Sequence, residues 1–401
     1  MDSNQSAKFE APNEWAVALR ARASQKSVVL DLQKILEAYR GSSSFYAARL
    51  AGISCWPEIP PLQKAELAAV PLSTDERIYA ARTSGTSGVQ VTVRNSISER
   101  RFRQALAYRP FLFYPLDKTV RQLVFVDGAD VDVVDKQQWP FEFGERSYLT
   151  WRVGVAAPPE KILQLLQSVK PHVVRGLTSG IVSFIEAIGG GLAGLGVQVV
   201  STSGETLTSE WRDLMHDAFA APVLDRYGST EVGSMAWQCP FCNDYHANSD
   251  EIVLEESPQG LLATPLFIES QPLLRYCVGD EVEMLSSAHE CRIRLPKLRL
   301  RAARRDDWIV DGAGRRESPL SFQFEQLSGL RAWRIHQLAS GVLRLYYDAE
   351  TDIDTEAEAE LREQLVAQLR RIVSDRDVEL VAGIWQLERG GKFKRVVSDL
   401  V

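Results

Sequence analysis

The chain is short of everything that would make it basic, disulfide-stapled or membrane-spanning. Lys and Arg number 46 against 53 Asp and Glu, a formal net charge of −7. It therefore lacks the diffuse positive field that a non-specific nucleic-acid binder needs. Five cysteines in 401 residues do not make a disulfide framework. Apolar stretches such as Ile181–Ile188 are too short and too interrupted to cross a bilayer. Met1–Pro12 is polar, with no basic stretch leading into an apolar one, so no secretory signal is expected and a cytoplasmic location is. Hydrophobic residues make up 45% and charged residues 25%. That is enough apolar surface to bury, which excludes wholesale disorder, and the length suits roughly two or three domains.

Helical spacing of Leu30, Leu32, Ile35, Leu36 and Tyr39 predicts a helix with Gly41 as its C-cap. Pro57, Pro60 and Pro61 break the chain into an extended connector. From about residue 120, short apolar strands (Leu123–Val126, Val173–Val174, Val197–Val200) alternate with helical faces. One face uses Ile162, Leu163, Leu165, Leu166 and Val169; another helix runs over Ser209–Phe219, capped by Thr208 or Ser209. Alternation of this kind predicts an α/β domain with a largely parallel sheet. Ile252–Leu254 and Leu261–Phe267 suggest antiparallel strands. After Asp307 come a strand around Leu343–Tyr347, an amphipathic helix over Glu356–Val373 and a strand over Val378–Trp385. The expected organisation is α/β: a large N-terminal α/β domain with mixed sheets over 1–306, and a small mobile α+β domain over 307–401.

Five segments carry chemistry. Thr83-Ser84-Gly85-Thr86-Ser87-Gly88 is a loop of hydroxyls and glycines able to converge donors on an anion; alone it is an ordinary surface loop, and it does not match GxxxxGK[ST]. In Tyr227-Gly228-Ser229-Thr230-Glu231 a ring can stack on a purine, Thr230 can donate to a phosphate and Glu231 can hold Mg²⁺; alone it is a turn with a surface acid. Asp280, after Gly279, could accept two ribose hydroxyls. Arg304-Arg305-Asp306-Asp307 is otherwise a solvated charge run. Gly390-Gly391-Lys392 puts a compact ammonium on a glycine turn.

In this order the segments resemble the adenylate-forming superfamily, and most closely its phenylacetate–CoA ligase branch. Thr83–Gly88 looks like the family's phosphate loop, Ser203-Gly204-Glu205 like its adenine-side segment, and Tyr227–Glu231 like YGxTE. Leu274–Asp280 is similar to RYxxGD and Ala303–Asp307 to GRxDD. Gly391-Lys392 with Lys394–Val397 resembles the tail that carries the catalytic lysine, and Pro61–Lys64 resembles a segment upstream of the loop. The likeness spans about residues 55 to 401. It departs at Val89-Gln90, where the family has Lys-Pro, which removes one cation from the pyrophosphate region, and at Ala303, where the family has Gly.

The resemblance implies that a carboxylic acid attacks the α-phosphate of ATP. Glu231 would hold Mg²⁺, and Thr230 would assist at the phosphate. Thr83–Gly88 would hold pyrophosphate; Tyr227 with Ser203–Glu205 would hold adenine; Asp280 and Arg304 would hold the ribose. Lys392 would bridge carboxylate and phosphate before the C-terminal domain swings about Asp306–Asp307 to admit a thiol, coenzyme A or a carrier protein's phosphopantetheine. An aromatic acid is implied, with Trp139, Phe141, Phe143, Tyr148 and Trp151 as pocket or core residues. Transfer to an acyl carrier protein or a reductase partner, AMP transfer alone, and an inactive nucleotide-binding module are the alternatives. No nucleic acid and no membrane partner is expected.

Cys239-Pro240-Phe241-Cys242 with His246, and His289 and Cys291 downstream, has ligands suited to tetrahedral Zn²⁺. Some relatives of the phenylacetate–CoA ligase branch carry zinc on two such segments, which implies a structural site made by Cys239, Cys242, His246 and Cys291, with His289 as substitute. Cys55 and Cys277 are expected in the core or a pocket.

Overall fold

The computed structural model describes residues 11–24, 30–71, 79–82, 92–126, 140–155, 157–242, 244–285, 291–302, 309–317, 322, 324, 327–349, 353–383 and 396–400. The chain divides into two compact units, 1–278 with 283–299, and 279–282 with 300–401.

The first unit is built on a long mixed sheet. Its parallel centre runs in the order Arg146–Gly154, Thr119–Val126, Val173–Leu177, Val199–Ser203, Val223–Ser229. The order reverses between Thr119–Val126 and Val173–Leu177, and in open α/β sheets such a switch opens a crevice at the carboxyl ends of the strands. Phe141–Phe143 closes one side antiparallel. On the other, Gly233–Gln238, Tyr245–Ala247 and Lys297–Ala302 continue antiparallel. Helices Pro159–Val169, Thr178–Ile188 and Ser209–Phe219 follow the strands that precede them, as βαβ connections require. Ser209–Phe219 is capped by Thr208, whose hydroxyl accepts from Trp211 N. Ala11–Ala23 and Ile97–Tyr108 pack on the apolar row Val120, Tyr148, Val173, Val199 and Leu224. A smaller antiparallel sheet joins Ile252–Glu255, Leu262–Pro265 and Tyr276–Cys277.

The expected helix near the N-terminus is Leu32–Ser42, started by the Asp31 carboxylate accepting from Lys34 N. It passes through Gly41 and ends at Ser43, not at the glycine, because Ser43 also caps the next helix, Ser44–Arg49, by accepting from Tyr46 N.

Arg109 is fully buried. It forks onto Asp250 (2.8 and 2.9 Å) and also donates to Asn248 Oδ1 (3.0 Å) and to Leu19 O (2.8 Å). This bidentate pair ties the helix Ala11–Ala23 to the sheet. Beside it, Glu251 meets Arg22. Burial pushes the Glu251 carboxyl up to about 7, with Asp250 adding to the rise and Arg22 opposing it. A carboxyl whose folded pKa exceeds its unfolded value keeps its proton longer in the folded state, so stability falls as pH rises from about 4.5 to about 7. Glu251→Gln is expected to flatten that part of the stability curve, read as the melting temperature between about pH 5 and 8. An unchanged slope would assign the titration elsewhere.

The second unit holds a four-stranded sheet in the order Val378–Ala382, Leu343–Ala349, Leu330–Gln337, Val396–Ser398. Helix Thr355–Ile372 packs on it through Leu361, Leu365 and Leu369. The Asp354 carboxylate caps that helix, and Arg370 and Arg371 sit in its last turn, where the helix dipole favours cations. Gln337 fastens the short strand Ile309–Val310, accepting from Val310 N (2.9 Å) and donating to Val310 O (2.6 Å). No helix among the described residues is long and apolar enough to cross a membrane.

Candidate active site

The site is assembled at the carboxyl ends of the parallel strands. Ser203 ends Val199–Ser203 and is in register with Arg226, which donates to Ser203 Oγ (3.2 Å). Ser203-Gly204-Glu205 and Tyr227–Glu231 therefore leave the sheet side by side. Gly204 turns with φ +88°. The Glu205 carboxylate accepts from Ser179 N (2.7 Å) and Ser179 Oγ (2.8 Å), a carboxylate on free N–H groups at the start of Thr178–Ile188.

Tyr227–Ser229 ends the strand Val223–Ser229, with an irregular register between Tyr227 and Gly228, and Thr230 and Glu231 enter the hairpin turn. A Cβ on Gly228 would lie 2.3 Å from Gly233 O, so only glycine fits where the two strands close. The turn delivers Glu231 to a buried position, 3% exposed. Tyr276 OH donates to Glu231 Oε1 (3.2 Å), and Lys64 Nζ stands 3.9 Å from the same oxygen. No described residue bonds to Glu231 Oε2. The turn is held from behind by Arg103, which donates to Thr230 O, Glu231 O (2.8 Å) and Asn95 Oδ1 (3.1 Å). Burial lowers Arg103 to about 10, with Glu231 and Glu99 opposing the drop, so it stays a cation at neutral pH.

Arg103 is placed by a well-anchored helix. Ser96 and Glu99 form a reciprocal cap at the start of Ile97–Tyr108: Ser96 N donates to Glu99 Oε2 (2.7 Å) and Glu99 N to Ser96 Oγ (3.2 Å). Glu99 Oε1 also accepts from Glu269 N and Ser270 N (both 2.6 Å). Lys64 is placed by the proline-bounded connector, which pairs with Tyr276–Cys277 through Leu62 N to Arg275 O (3.0 Å) and Cys277 N to Leu62 O (2.9 Å). Arg275 is a brace: it pairs with Glu255 (3.1 Å) and donates to Pro57 O (3.2 Å) and Ile59 O.

Thus the structure joins three of the segments singled out in the sequence: Ser203–Glu205, Tyr227–Glu231 and the start of Leu274–Asp280, with Lys64 from the upstream segment. Asp280 belongs to the second unit, where it is buried and follows Gly279 at φ +86°. Thr83, Ser84, Gly85, Thr86, Ser87, Gly88, Arg304, Lys392 and His289 lie outside the described residues, as does Trp139. Phe143 and Tyr148 are fully buried in the core, with Phe141 packed against them. Cys55 is exposed, contrary to expectation, because Trp56 takes the buried position beside it. The functional part of Arg103 had no signal in the sequence beyond a buried helix start.

Cys239, Cys242, His246 and Cys291 place their ligand atoms within 4.8 Å of one another. Cys239 and Cys291 sulfurs are 3.5 Å apart, and Cys242 Sγ is 3.5 Å from His246 Nε2. His246 Nδ1 lies 2.8 Å from Leu295 O; a carbonyl can only accept, so Nδ1 carries the proton and Nε2 faces the sulfurs as a lone pair. Phe241 N and Ile293 N each donate to a sulfur, Cys239 and Cys291 respectively (3.4 Å). Burial pushes the Cys239 and Cys242 thiols up and lowers His246 to about 4.

No sequence-family profile matches the chain. A crystal structure of 2-hydroxyisobutyryl-CoA ligase in the postadenylation state, in complex with R3-HIB-AMP, aligns with TM-score 0.73 over 96% of this chain and 90% of that one, at 19% identity. The chain thus shares the fold of that ligase. A benzoate CoA ligase from Burkholderia xenovorans LB400 shares it at TM-score 0.56 and 13% identity, over 79% of this chain and 68% of that one. By sequence, the chain is 31% identical over 121 residues to the indoleacetate–lysine synthetase of Pseudomonas savastanoi; that match takes in 29% of this chain and 31% of the relative's length. In this shared fold, the hairpin turn that carries Glu231 stands at the carboxyl edge of the sheet.

Proposed function

We propose that the chain activates a carboxylic acid with ATP and transfers the acyl group to a thiol, coenzyme A before any carrier protein. The observation that carries this is the meeting of Lys64, Tyr276 and Glu231 beside Ser203–Glu205 in an adenylate-forming fold. In the first half-reaction a carboxylate oxygen bonds to the α-phosphorus, and the bond from that phosphorus to the bridging oxygen breaks, releasing pyrophosphate. In the second, the thiolate adds to the acyl carbon and AMP leaves with the electron pair of the broken C–O bond. Mg²⁺ supplies charge neutralisation at the phosphates when bound; Glu231, with Oε2 free of described donors, is the residue fitted to hold it. Lys64 and Tyr276 hold the other oxygen and so fix the carboxylate's orientation. Thr83–Gly88 is proposed to take the pyrophosphate, and Lys392 to stabilise charge developing at the α-phosphate. An aromatic acid is the preferred substrate class, as in the benzoate CoA ligase of the same fold.

ATP–pyrophosphate exchange over a panel of aryl and alkyl acids tests the reading. Tight ATP binding with no exchange for any acid would leave an inactive nucleotide-binding module. Lys392→Ala is expected to abolish exchange yet still convert a preformed acyl adenylate and coenzyme A to thioester; loss of both half-reactions together would count against that role. A second reading, favoured by the likeness to indoleacetate–lysine synthetase, has an amine as acceptor. Product analysis with coenzyme A and with lysine separates the two.

We also propose that Cys239, Cys242, His246 and Cys291 hold a structural Zn²⁺. Three sulfurs and one imidazole with a fixed tautomer suit that ion.

A further inference from the structure

The face of the sheet under helix Ile97–Tyr108 changes character along the strands. Val120, Tyr148, Val173, Val199 and Leu224 form an apolar row in the core. Strand periodicity puts the residues two positions on upon the same face. Those are Gln122, Thr150, Arg175, Ser201 and Arg226, one polar row just before the carboxyl ends. The registers Gln122 with Thr150, Arg175 with Ser201, and Ser203 with Arg226 keep them together. Arg175 lies on the strand that flanks the switch in strand order.

This row holds two guanidiniums and no acid. Arg226 donates to Ser201 Oγ (3.0 Å), Ser203 Oγ (3.2 Å) and Ala107 O (3.5 Å), all neutral. Arg175 lies over the Tyr108 ring, 4.6 Å from its centre, and its Nε and Nη1 are buried with no acceptor. Gln122 donates to Tyr108 OH and to Thr150 Oγ1 (2.6 Å), while its own Oε1 is buried and unbonded. No carboxylate among the described residues pairs with either arginine. The nearest in sequence, Asp225, points to the opposite face and is engaged by Thr202 Oγ1 (2.7 Å) and Tyr245 OH. Burial and the charge of Arg175 depress Arg226 to about 9, with Tyr108 and Asp225 opposing the drop. Both arginines are partly buried, and attraction to one aromatic face offsets only part of the cost of drawing two like charges partly out of water. Two guanidiniums side by side, Arg175 with donors unmet and Arg226 bonded to neutral acceptors alone, fit an anion that arrives with a ligand.

We propose that Arg175 and Arg226 form a subsite for a second carboxylate on the acid substrate, which makes the natural substrate a dicarboxylic acid. This rests on the activation reading above and narrows it: one carboxylate goes to the phosphate beside Glu231, the other to the arginine pair. Arg226 donates to Ser203 Oγ and stands just before Tyr227 on the strand that leads into Glu231, which puts the subsite beside the candidate active site.

The test is calorimetric binding, without ATP, of benzoate, the three phthalates, and the straight-chain dicarboxylates from succinate to adipate. The full-length chain is expected to bind at least one dicarboxylate about tenfold or more tighter than benzoate. Arg175→Met and Arg226→Met are each expected to weaken that dicarboxylate by about tenfold to a hundredfold and to leave benzoate unchanged. Arg226→Lys keeps the charge and is expected to lose less than Arg226→Met. If the methionine variants melt early, the wild-type chain still decides: dicarboxylate affinity should fall with added salt more steeply than benzoate affinity. Benzoate binding as tightly as every dicarboxylate, or variants that bind the dicarboxylate unchanged, overturns the subsite. Exchange assays keep the two ideas apart. A dicarboxylate that binds through the arginines but supports no pyrophosphate exchange overturns activation and keeps the subsite; exchange with benzoate and with no dicarboxylate does the reverse.

Discussion

Glu231→Gln is expected to slow ATP–pyrophosphate exchange by about a hundredfold to a thousandfold, the scale of losing one fixed charge at a phosphoryl site. The substitution is close to isosteric, and its amide oxygen can still accept from Tyr276, so the fold should survive and the melting temperature should hardly move. What goes is the negative charge on an oxygen that no described residue engages, and with it the ligand for a hard cation. The loss should therefore fall on turnover and soften at raised Mg²⁺. Arg103 offers the contrast. Among the described residues its hydrogen bonds go to the backbone carbonyls of Thr230 and Glu231 and to Asn95 Oδ1, so its role is to position the turn. Arg103→Met should cost about tenfold to a hundredfold, from a turn displaced by a fraction of an ångström, and raised Mg²⁺ should not rescue it. Equal rescue of both variants would sink the distinction; full activity in Glu231→Gln would remove Glu231 from the site.

Much of this arrangement was legible in the residues. Apolar runs alternating with helical faces located three of the five parallel strands, those at Thr119–Val126, Val173–Leu177 and Val199–Ser203, but not Arg146–Gly154 or Val223–Ser229, whose polar residues break the apolar runs. Tyr227–Glu231 stood out through Gly228 and Thr230, though Tyr227–Ser229 proves to be strand and the turn begins only at Thr230. Its partners were not. Tyr276 OH reaches Glu231 across 45 positions and Arg103 reaches it across 128; contacts of that separation leave no local pattern. Local signals also misled at Gly41, where a helix runs on through glycine because Ser43 is the better stop. The arginine row was invisible for a related reason. Arg175 and Arg226 each interrupt an apolar strand and read singly as solvent-facing residues, and only the register of three strands puts them together.

Removal of metal should have the largest effect on stability. The chain as purified is expected to carry about one zinc per molecule by elemental analysis, and Cys242→Ser or His246→Ala to carry little. Dialysis against a strong chelator should lower the melting temperature by about 10 °C or more, since structural zinc sites are worth on the order of 10 kcal/mol and each kcal/mol lost moves a unit of this length by about 1–2 °C. The thiols explain why the loss should be that large. Burial raises Cys239 and Cys242, so without a cation they sit neutral around a cluster that brings three sulfurs together with nothing to bind. With a cation they ionise and release protons, so affinity should fall as pH is lowered. The effect should also be local in a predictable way. Ala23, at the end of Ala11–Ala23, packs in the same cluster as Trp237, Cys239 and Cys291, and Ala23 O accepts from Arg294 N (2.7 Å). Hydrogen exchange after chelation should therefore speed up first over 233–247 and 291–295, then over residues 16–24, while the Arg109–Asp250 pair delays release of the rest of the helix. A chain that holds no metal, melts the same with and without chelator, and keeps those amides protected would leave the four side chains as a buried thiol cluster and nothing more.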